Sequence, residues 1–490
     1  MAQGARTPVG ASGRAIDAGG GPAWLSERAL ARLERHACTA VRRARAGSPV
    51  LASVTERLSG EHDPAAVVFA SRTPGEPWVC IEQPARGGAA HAGLGVALEL
   101  DASGSERFVM LERHWRSLSQ NAVLDSPDAP AGAGLAAYAG FAFAPEGGRS
   151  PQWHGFGPAV LTVPEVWFVR ADGDTWITCN LLVGQEDDAV LRVRQLAQRL
   201  GCLREAPLPL FDPSPVGEYR VHSPMPPSHY EEAVRRAVER IRSGELEKLV
   251  LAREVQVSAP RAHDVAAVYD VLRAGFPECF VYAVGRGQAT FFGATPELLV
   301  RREGMRASTV ALAGSTRRSA DPAVDDHLAE SLLRDEKNRH ENLVVAQRIS
   351  KALSPHSVWV TVAPEPAVIK VANIQHLAAP IRAQLRAPTG ALALAGALHP
   401  TPAVGGEPWA VAERLIPALE GLDRGWYAGT LGWTDTAGDG EFCVTLRCAL
   451  VRGEVASCYA GCGIVADSEP ASELAETEVK LEAILPVLSG

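Results

Sequence analysis

The feature that most constrains the fold of this chain is a long succession of short apolar runs, each closed by glycine, proline or aspartate. Between residues 49 and 185 the runs are AAVVFAS, PWVCIEQ, LGVALEL, LAAYAGFAFAP, AVLTVPEVWFVR and TWITCNLLVG. Short runs rich in β-branched and aromatic residues and bounded by turn residues are typical of β-strands. The pattern therefore predicts a β-rich N-terminal half over 23–205, with one helix near 107–120.

A proline-rich stretch at 206–219, APLPLFDPSPVGEY, is the best candidate for an internal boundary. A second half, 220–490, follows it with alternating helical and strand patterns. It includes one long predicted helix at 321–353 and predicted strands over WYAGTLGWTD and EFCVTLRCALV. The Gly- and Ala-rich residues 1–22 are predicted to be a disordered leader.

Composition excludes several classes of function. The net charge of −9 argues against a nucleic-acid partner. No apolar run approaches the roughly 20 residues of a membrane span, so we expect no membrane partner. Nine cysteines without a C-x-x-C pair or a secretion signal predict reduced thiols in a cytoplasmic protein and no zinc site. No exposed apolar helix stands out, which favours a monomer.

The stretch at 459–480, YAGCGIVADSEPASELAETEVK, combines a short strand, a glycine-bearing turn and a helix. On that helix Glu473, Glu476 and Lys480 are spaced three and four residues apart, which places them on one face. Next to Gly463, such a face can hold a hard cation and an anionic substrate together. The same spacing is also typical of a solvent-exposed face with a Glu–Lys pair.

Three further residues suggest acid–base chemistry. Lys248 opens an apolar strand, where burial favours the neutral amine that acts as a base, although a strand-end lysine can also extend to solvent. Glu297 lies between two apolar runs, so burial is expected to raise its pKa to about 6–7, unless it only caps a loop. Glu341 stands where a charged helix turns apolar. With Glu476 it can supply oxygen ligands to Mg²⁺, or it can pair with Lys337 on its own helix.

Tyr427 and Arg447 are predicted on adjacent strands joined by the turn TAGDGE. An arginine inside FCVTLRCALV is costly to bury unless it faces an anion, and its planar fork suits a carboxylate. A structural ion pair with a buried acid is the alternative. Together these residues predict Mg²⁺-assisted acid–base chemistry on a small polycarboxylate.

The second half also resembles a known family, the chorismate-utilising enzymes, and within it most closely the isochorismate synthases. The resemblance is nearly continuous from about 226 to 486. It is carried by LEKLVLAR, FFGATPELLV, VALAGSTRR, KNRHENLVV, NIQHLAAPI, LHPTPAVGG, DRGWYAGTLGW, GDGEFCVTLRCALV and the 459–480 stretch. It implies one α+β fold, in which two large, mainly antiparallel sheets pack face to face with helices outside. Residues 220–490 would then be the catalytic half of that single fold.

The resemblance also implies a role for each matching residue. Lys248 corresponds to the base that activates water, and Glu297 to the acid that protonates the departing hydroxyl. Glu341 and Glu476 correspond to Mg²⁺ ligands, with Glu473 as a supporting ligand. The substrate contacts are divided among Tyr427 and Arg447 for the enolpyruvyl carboxylate, Lys480 and Gly463 for the ring carboxylate, and His376, Gly314 and Ser315 for the pocket lining.

The implied reaction converts chorismate to isochorismate, with water adding at C2 and the C4 hydroxyl leaving, in menaquinone or siderophore biosynthesis. Lys248 favours water over ammonia, and so argues against anthranilate or aminodeoxychorismate synthase component I. Salicylate synthase, which also eliminates pyruvate, stays an alternative, as do a binding relative without catalysis and a two-metal hydrolase. The chain departs from the family at Ala379 and Ser315, where threonine is usual, and at Asn338, where aspartate is common.

Overall fold

A computed structural model describes residues 24–125, 128–212 and 217–489 of the chain. The leader predicted at 1–22 lies outside the described residues. The helices of the described chain are α1 Glu27–Arg43, α2 Pro64–Ser71, α3 Arg107–Asn121, α4 Ala189–Leu200, α5 Pro227–Arg242, α6 Val265–Gly275, α7 Pro322–Arg334, α8 Glu336–Leu353, α9 Ala391–Leu398, α10 Trp409–Glu420, α11 Pro470–Leu481 and α12 Pro486–Ser489.

The strands of the described chain complete the element list. They are β1 Val50–Arg57, β2 Gly75–Gln83, β3 Ala89–Leu94, β4 Leu98–Ala102, β5 Ala136–Phe141, β6 Ala159–Val163, β7 Val166–Ala171, β8 Asp174–Val183, β9 Arg220–His222, β10 Lys248–Ser258, β11 Phe280–Gly287, β12 Ala289–Thr295, β13 Leu298–Glu303, β14 Arg306–Arg317, β15 Ser357–Val362, β16 Ala367–Lys370, β17 Ile374–Leu385, β18 Gly406–Glu407, β19 Thr430–Asp435, β20 Gly440–Val444, β21 Cys448–Arg452 and β22 Val455–Ile464.

The strands form two large antiparallel sheets. The first has the order β1-β8-β7-β3-β2-β11-β12-β21-β22-β10-β18, with β9 beside β10. The second has the order β15-β17-β14-β13-β20-β19-β5-β6-β4, with β16 beside β17. Strands from before and after the proline-rich stretch pair directly, with Cys80 opposite Ala283 in the first sheet and Ala139 opposite Gly432 in the second. The boundary at 206–219 stays a prediction, and the two halves share both sheets.

Alternation of side chains explains how the sheets pack. On β11, Tyr282 and Val284 belong to the core that contains residues of both sheets, whereas Val281 and Ala283 face a second core with α1, α2, α4 and α6. His91 on β3 stacks on Trp433 of β19 with ring centroids 4.4 Å apart, which joins the two sheets. Helices α8 and α9 contact the other sheet at β14 and β13. The predicted α+β class, with two sheets face to face and helices outside, is confirmed.

The strand prediction for AAVVFAS was wrong, because this segment is helix α2. The Asp63 carboxylate accepts hydrogen bonds from the amides of Ala65 and Ala66, and Pro64 occupies the first turn. An apolar run of this length is equally compatible with a buried strand and with a buried helix. Strand β17 and helix α9 also form where the sequence pattern predicted no element.

The single helix predicted at 321–353 is two helices, because Asp335 is extended with φ −70° and ψ 115°. The run EFCVTLRCALV is likewise two strands, β20 in one sheet and β21 in the other. The placement of Tyr427 and Arg447 on adjacent strands was therefore wrong. Tyr427 precedes β19, and Arg447 lies where the chain crosses between the sheets, with a φ of +48°.

Within the described residues, no helix combines the length and apolar character needed to cross a lipid bilayer.

Candidate active site

One pocket brings together nearly every residue that the sequence singled out. Its lining includes Glu297, Gly314, Ser315, Glu341, His376, Tyr427, Arg447, Gly463, Glu473, Glu476 and Lys480. Lys248 is 2 % exposed and reaches the same place through a hydrogen bond to Glu341. The contributing elements are β10, β14, β17, β22, α8 and α11, together with the connections before β13, β19 and β21.

Three of the four carboxylates that line the pocket are each paired with a lysine. Lys248 Nζ lies 2.7 Å from Glu341 Oε1, and Lys480 Nζ lies 2.7 Å from Glu476 Oε1. Lys337 Nζ lies 3.4 Å from Glu473 Oε1, and not on Glu341 as the helical spacing had allowed. These three ion pairs lie on β10, α8 and α11.

The neighbours of Glu476 favour its ionised form. Burial opposes its charge, but the neighbouring Lys480 ammonium and the hydroxyl of Ser315 outweigh that effect and lower its pKa to about 2. Ser315 Oγ donates to Glu476 Oε1 over 3.0 Å. Glu473 differs, because burial raises its pKa above the ordinary value. The two acids of α11 thus have distinct electrostatic characters.

Glu297 is suited to give up a proton near neutral pH. Its side chain is buried, and desolvation raises its pKa to about 7, although Lys248 and Arg447 act in the opposite direction. Its position is fixed by the backbone, since the Glu297 carbonyl accepts a hydrogen bond of 3.0 Å from the Val444 amide.

Arg447 is a half-buried cation in the pocket lining. In the described part of the chain no carboxylate lies within ion-pair distance of it, and its Nη2 donates to Nε2 of His376 over 3.3 Å. Burial, followed by the charges of Arg447 and Lys480, lowers the pKa of His376 to about 3, so the imidazole is neutral and can accept this bond. The left-handed backbone of Arg447 is strained for a non-glycine residue, a feature that collects at functional sites.

Comparison with known proteins agrees with this geometry. A family model described as "Chorismate binding enzyme" matches residues 35–489. The chain belongs to the chorismate binding enzyme family.

Relatives within this family carry related names. The chain is 38% identical over 398 residues to the salicylate biosynthesis isochorismate synthase of Pseudomonas aeruginosa, covering 81% of this chain and 82% of that one. It is 33% identical over 353 residues to the isochorismate synthase MenF of Bacillus subtilis, covering 72% and 74%. A crystal structure of a putative 2,3-dihydroxybenzoate-specific isochorismate synthase, DhbC from Bacillus anthracis, matches with a TM-score of 0.67 at 28% identity over 86% of this chain and 99% of that one.

Close approach or backbone conformation favours glycine at two places in this pocket. A Cβ on Gly463 would lie 2.6 Å from Glu341 Oε1 and 2.7 Å from Lys248 Cε, so a side chain there would separate the lysine from its acid. Gly314 has a φ of +80°, and its Cβ would press on Asn338 at 3.0 Å. Both predicted pocket glycines are thus explained by close approach or by backbone conformation.

Sequence reasoning missed several residues of this pocket. Lys337 was considered only as an intrahelical partner, whereas it reaches across to α11. Asn338 was noted only as a departure, yet its Oδ1 accepts the Ser315 amide at 3.2 Å. Tyr459, whose ring stacks on Tyr427 at 5.2 Å, closes one wall. The one sequence signal for these residues is that they lie within the motifs that resemble the family.

The acids of the pocket have the chemistry of a site for a hard cation. Ligand atoms of Glu473, Glu476 and Cys462 lie within 4.8 Å of one another. Burial raises the pKa of the Cys462 thiol, whose Sγ donates to the Glu473 carbonyl oxygen at 3.4 Å, so it stays a thiol. Carboxylate oxygens are then the available ligands, and these suit Mg²⁺ better than a thiophilic metal.

Proposed function

We propose that this protein is an isochorismate synthase that converts chorismate to isochorismate. The observation that carries the proposal is the meeting, in one pocket, of a buried lysine on Glu341 and a buried Glu297 whose pKa is about 7. A water-adding isomerisation needs a base on the attacking water and an acid on the departing hydroxyl. The names of the relatives support the same reaction.

The charges of the pocket favour the joint binding of a cation and a dianion. Three lysines already match Glu341, Glu473 and Glu476, and Arg447 is a further cation, so a divalent cation alone would add to an excess of positive charge. Chorismate carries two carboxylates, and a dianion offsets that excess. Glu341 and Glu476, with Glu473 beside them, would hold Mg²⁺, which when bound supplies an electrostatic anchor for the ring carboxylate.

Different residues of the chain would then bind the two carboxylates of the substrate. Arg447 and Tyr427 bind the enolpyruvyl carboxylate, since the Arg447 fork has no carboxylate partner of its own in the described chain. Lys480, with the backbone at Gly463, faces the ring carboxylate, and the neutral His376 holds Arg447 in place.

Two proton transfers complete the proposed reaction. The Lys248 amine, in its neutral form, takes a proton from water as the oxygen bonds to C2 of the ring. Both ring double bonds shift, from C1=C2 and C5=C6 to C1=C6 and C4=C5, and the C4 hydroxyl leaves as water with the proton of Glu297. One water enters and one leaves, so the product is an isomer of chorismate.

A product assay tests the proposal directly. Purified protein with chorismate and Mg²⁺ should form isochorismate, with no released pyruvate and no salicylate fluorescence. Formation of salicylate and pyruvate would identify a salicylate synthase, and ammonia-dependent anthranilate would identify the amine-using branch. Absence of any turnover, with chorismate still bound, would identify a relative without catalysis. Sedimentation of the same preparation tests the expected monomer.

A further inference from the structure

A buried ion pair lies directly behind the pocket wall. Glu420, the last residue of α10, and Arg424 are each 4 % exposed. Arg424 Nε donates to Glu420 Oε2 over 3.0 Å, and its Nη2 donates to Oε1 over 2.5 Å. Gly421, with a φ of +62°, ends the helix between them and lets the chain fold Arg424 back onto Glu420.

The ion pair satisfies backbone groups along an uncovered edge of β10. That strand pairs with β18 at Lys248 and Leu249, and with β9 only from Gln256 onward. Within the described residues no strand covers the edge between these points. There the carbonyl of Val250 accepts from Arg424 Nη2 at 2.9 Å, and the amide of Ala252 donates to Glu420 Oε1 at 2.7 Å. The side chains take the place of a strand.

Arg424 also contacts two other parts of the pocket wall. Its Nη1 donates to the carbonyl of Val404 over 2.8 Å, and its guanidinium carbon lies 5.8 Å from the ring centroid of Tyr427. Val250, Val404 and Tyr427 all line the pocket, and Lys248 is two residues before Val250. One guanidinium therefore connects the strand that carries the proposed base with the loop and the tyrosine on the other side.

The stability of the fold alone does not explain why a buried ion pair is present here. Burying two charges costs desolvation energy that their attraction roughly repays, and apolar residues of similar size often serve as well. The pair does, however, offer directed hydrogen bonds that apolar side chains lack.

We propose that Glu420 and Arg424 are positioning residues, which hold the Lys248 strand, the Val404 loop and Tyr427 in their catalytic arrangement. The kinetic part of this inference rests on the proposed function, whereas the structural part does not.

Arg424→Lys is the variant that tests the inference. Lysine keeps a positive charge for Glu420 but lacks the planar fork that reaches Val250 and Val404 together. We expect kcat for chorismate to fall about 10- to 100-fold, because small displacements of a catalytic group have effects of that size. KM should change less, since Arg447 and Lys480 still bind the two carboxylates when Tyr427 shifts. Amide hydrogen exchange in the peptide 246–253 should accelerate.

Arg302→Lys is a matched control. Arg302 is also 4 % exposed, donates to the carbonyl of Ala437 over 2.6 Å and pairs with Asp439 at 2.8 Å, but it is not part of the pocket lining. This variant should lower the unfolding temperature comparably and leave kcat and the exchange of 246–253 within about twofold of wild type.

The outcomes separate this inference from the proposed function. A folded Arg424→Lys enzyme with wild-type kcat and unchanged exchange would overturn it, as would an equal loss of kcat in Arg302→Lys. If wild-type protein does not turn over chorismate, the proposed function fails and the exchange of 246–253 alone decides the positioning role. If Arg424→Lys does not fold, Glu420→Gln is measured in the same way, because its amide oxygen still accepts from Ala252.

Discussion

Lys248 Nζ donates a 2.7 Å hydrogen bond to Oε1 of Glu341, a residue 93 positions later in the chain. The bond joins the proposed base on β10 to a proposed metal ligand on α8. A change to either side chain therefore alters the charge that the other one faces. Gly463 allows this approach, because a side chain there would collide with both groups.

Substitution of Lys248 separates its role as a base from its role as a cation. Lys248→Ala should lower kcat about 10²- to 10⁴-fold, the usual contribution of general base catalysis. Lys248→Arg keeps the positive charge beside Glu341 but cannot lose a proton at neutral pH, so it should be equally impaired. Steady-state kinetics with chorismate measure both. An Arg variant with near-wild-type kcat would show that the charge, and not a base, is what the reaction needs.

Glu297 gives the reaction a predicted pH dependence. Its pKa of about 7 means that the protonated acid is lost as pH rises through 7, so kcat/KM should fall on that side of the profile. Because this pKa lies above the unfolded value of 4.5, the native state binds the extra proton between these values. The contribution of Glu297 to stability is therefore complete below pH 4.5 and is lost as pH rises toward 7. Glu297→Gln should remove both effects.

Glu82 supplies the control for this pH experiment. Burial raises its pKa to about 7 as well, but it is not among the residues that line the pocket. Glu82→Gln should change how the unfolding temperature varies with pH and leave the pH profile of kcat/KM as in wild type. A shifted rate profile in Glu82→Gln would contradict the assignment of the alkaline limb to Glu297.

Metal binding is predicted to depend on Glu476 and not on its helix neighbour Glu478. The pKa of Glu476 is about 2, so its carboxylate is ionised at every working pH and available to a cation. Glu476→Gln should weaken Mg²⁺ binding at least about tenfold in calorimetry, whereas Glu478→Gln should not, because the Glu478 side chain is 63% exposed. Equal affinity in the two variants would remove Glu476 from the proposed site.

The motifs predicted from sequence which residues would lie near one another in the fold. Residues as distant as Lys248 and Lys480 were assigned to one site from the chemistry of their types and from family resemblance. In the structure Lys480 lines the pocket, and Lys248 donates a hydrogen bond to Glu341 of its lining. The local apolar pattern did not predict features that depend on tertiary structure. The run that contains Arg447 is continuous in sequence, yet its two ends belong to different sheets, and apolar periodicity carries no sign of that crossing.

The sequence did not predict the residues that position other residues of the pocket. Arg424 and Glu420 resemble an ordinary helix-end pair until the bare edge of β10 is seen beside them. Asn338 attracted notice only because aspartate is common there. Its contacts with Asp335 and Ser315 depend on the break between α7 and α8 at Asp335, which the sequence did not predict.

Asn338→Asp is predicted to destabilise this chain, although it restores the common residue. Asn338 Nδ2 donates to Asp335 Oδ1 at 2.7 Å, and a carboxylate there would face another carboxylate. We expect a loss of about 1 kcal/mol in the free energy of unfolding, measured by denaturant titration, that diminishes at acid pH. The swap Asp335→Asn with Asn338→Asp should recover the loss, because Asn at 335 can donate to Asp at 338 and still accept from the helix amide that Asp335 caps. A double variant as unstable as Asn338→Asp alone would show that the hydrogen bond between positions 335 and 338 is not the source of the loss.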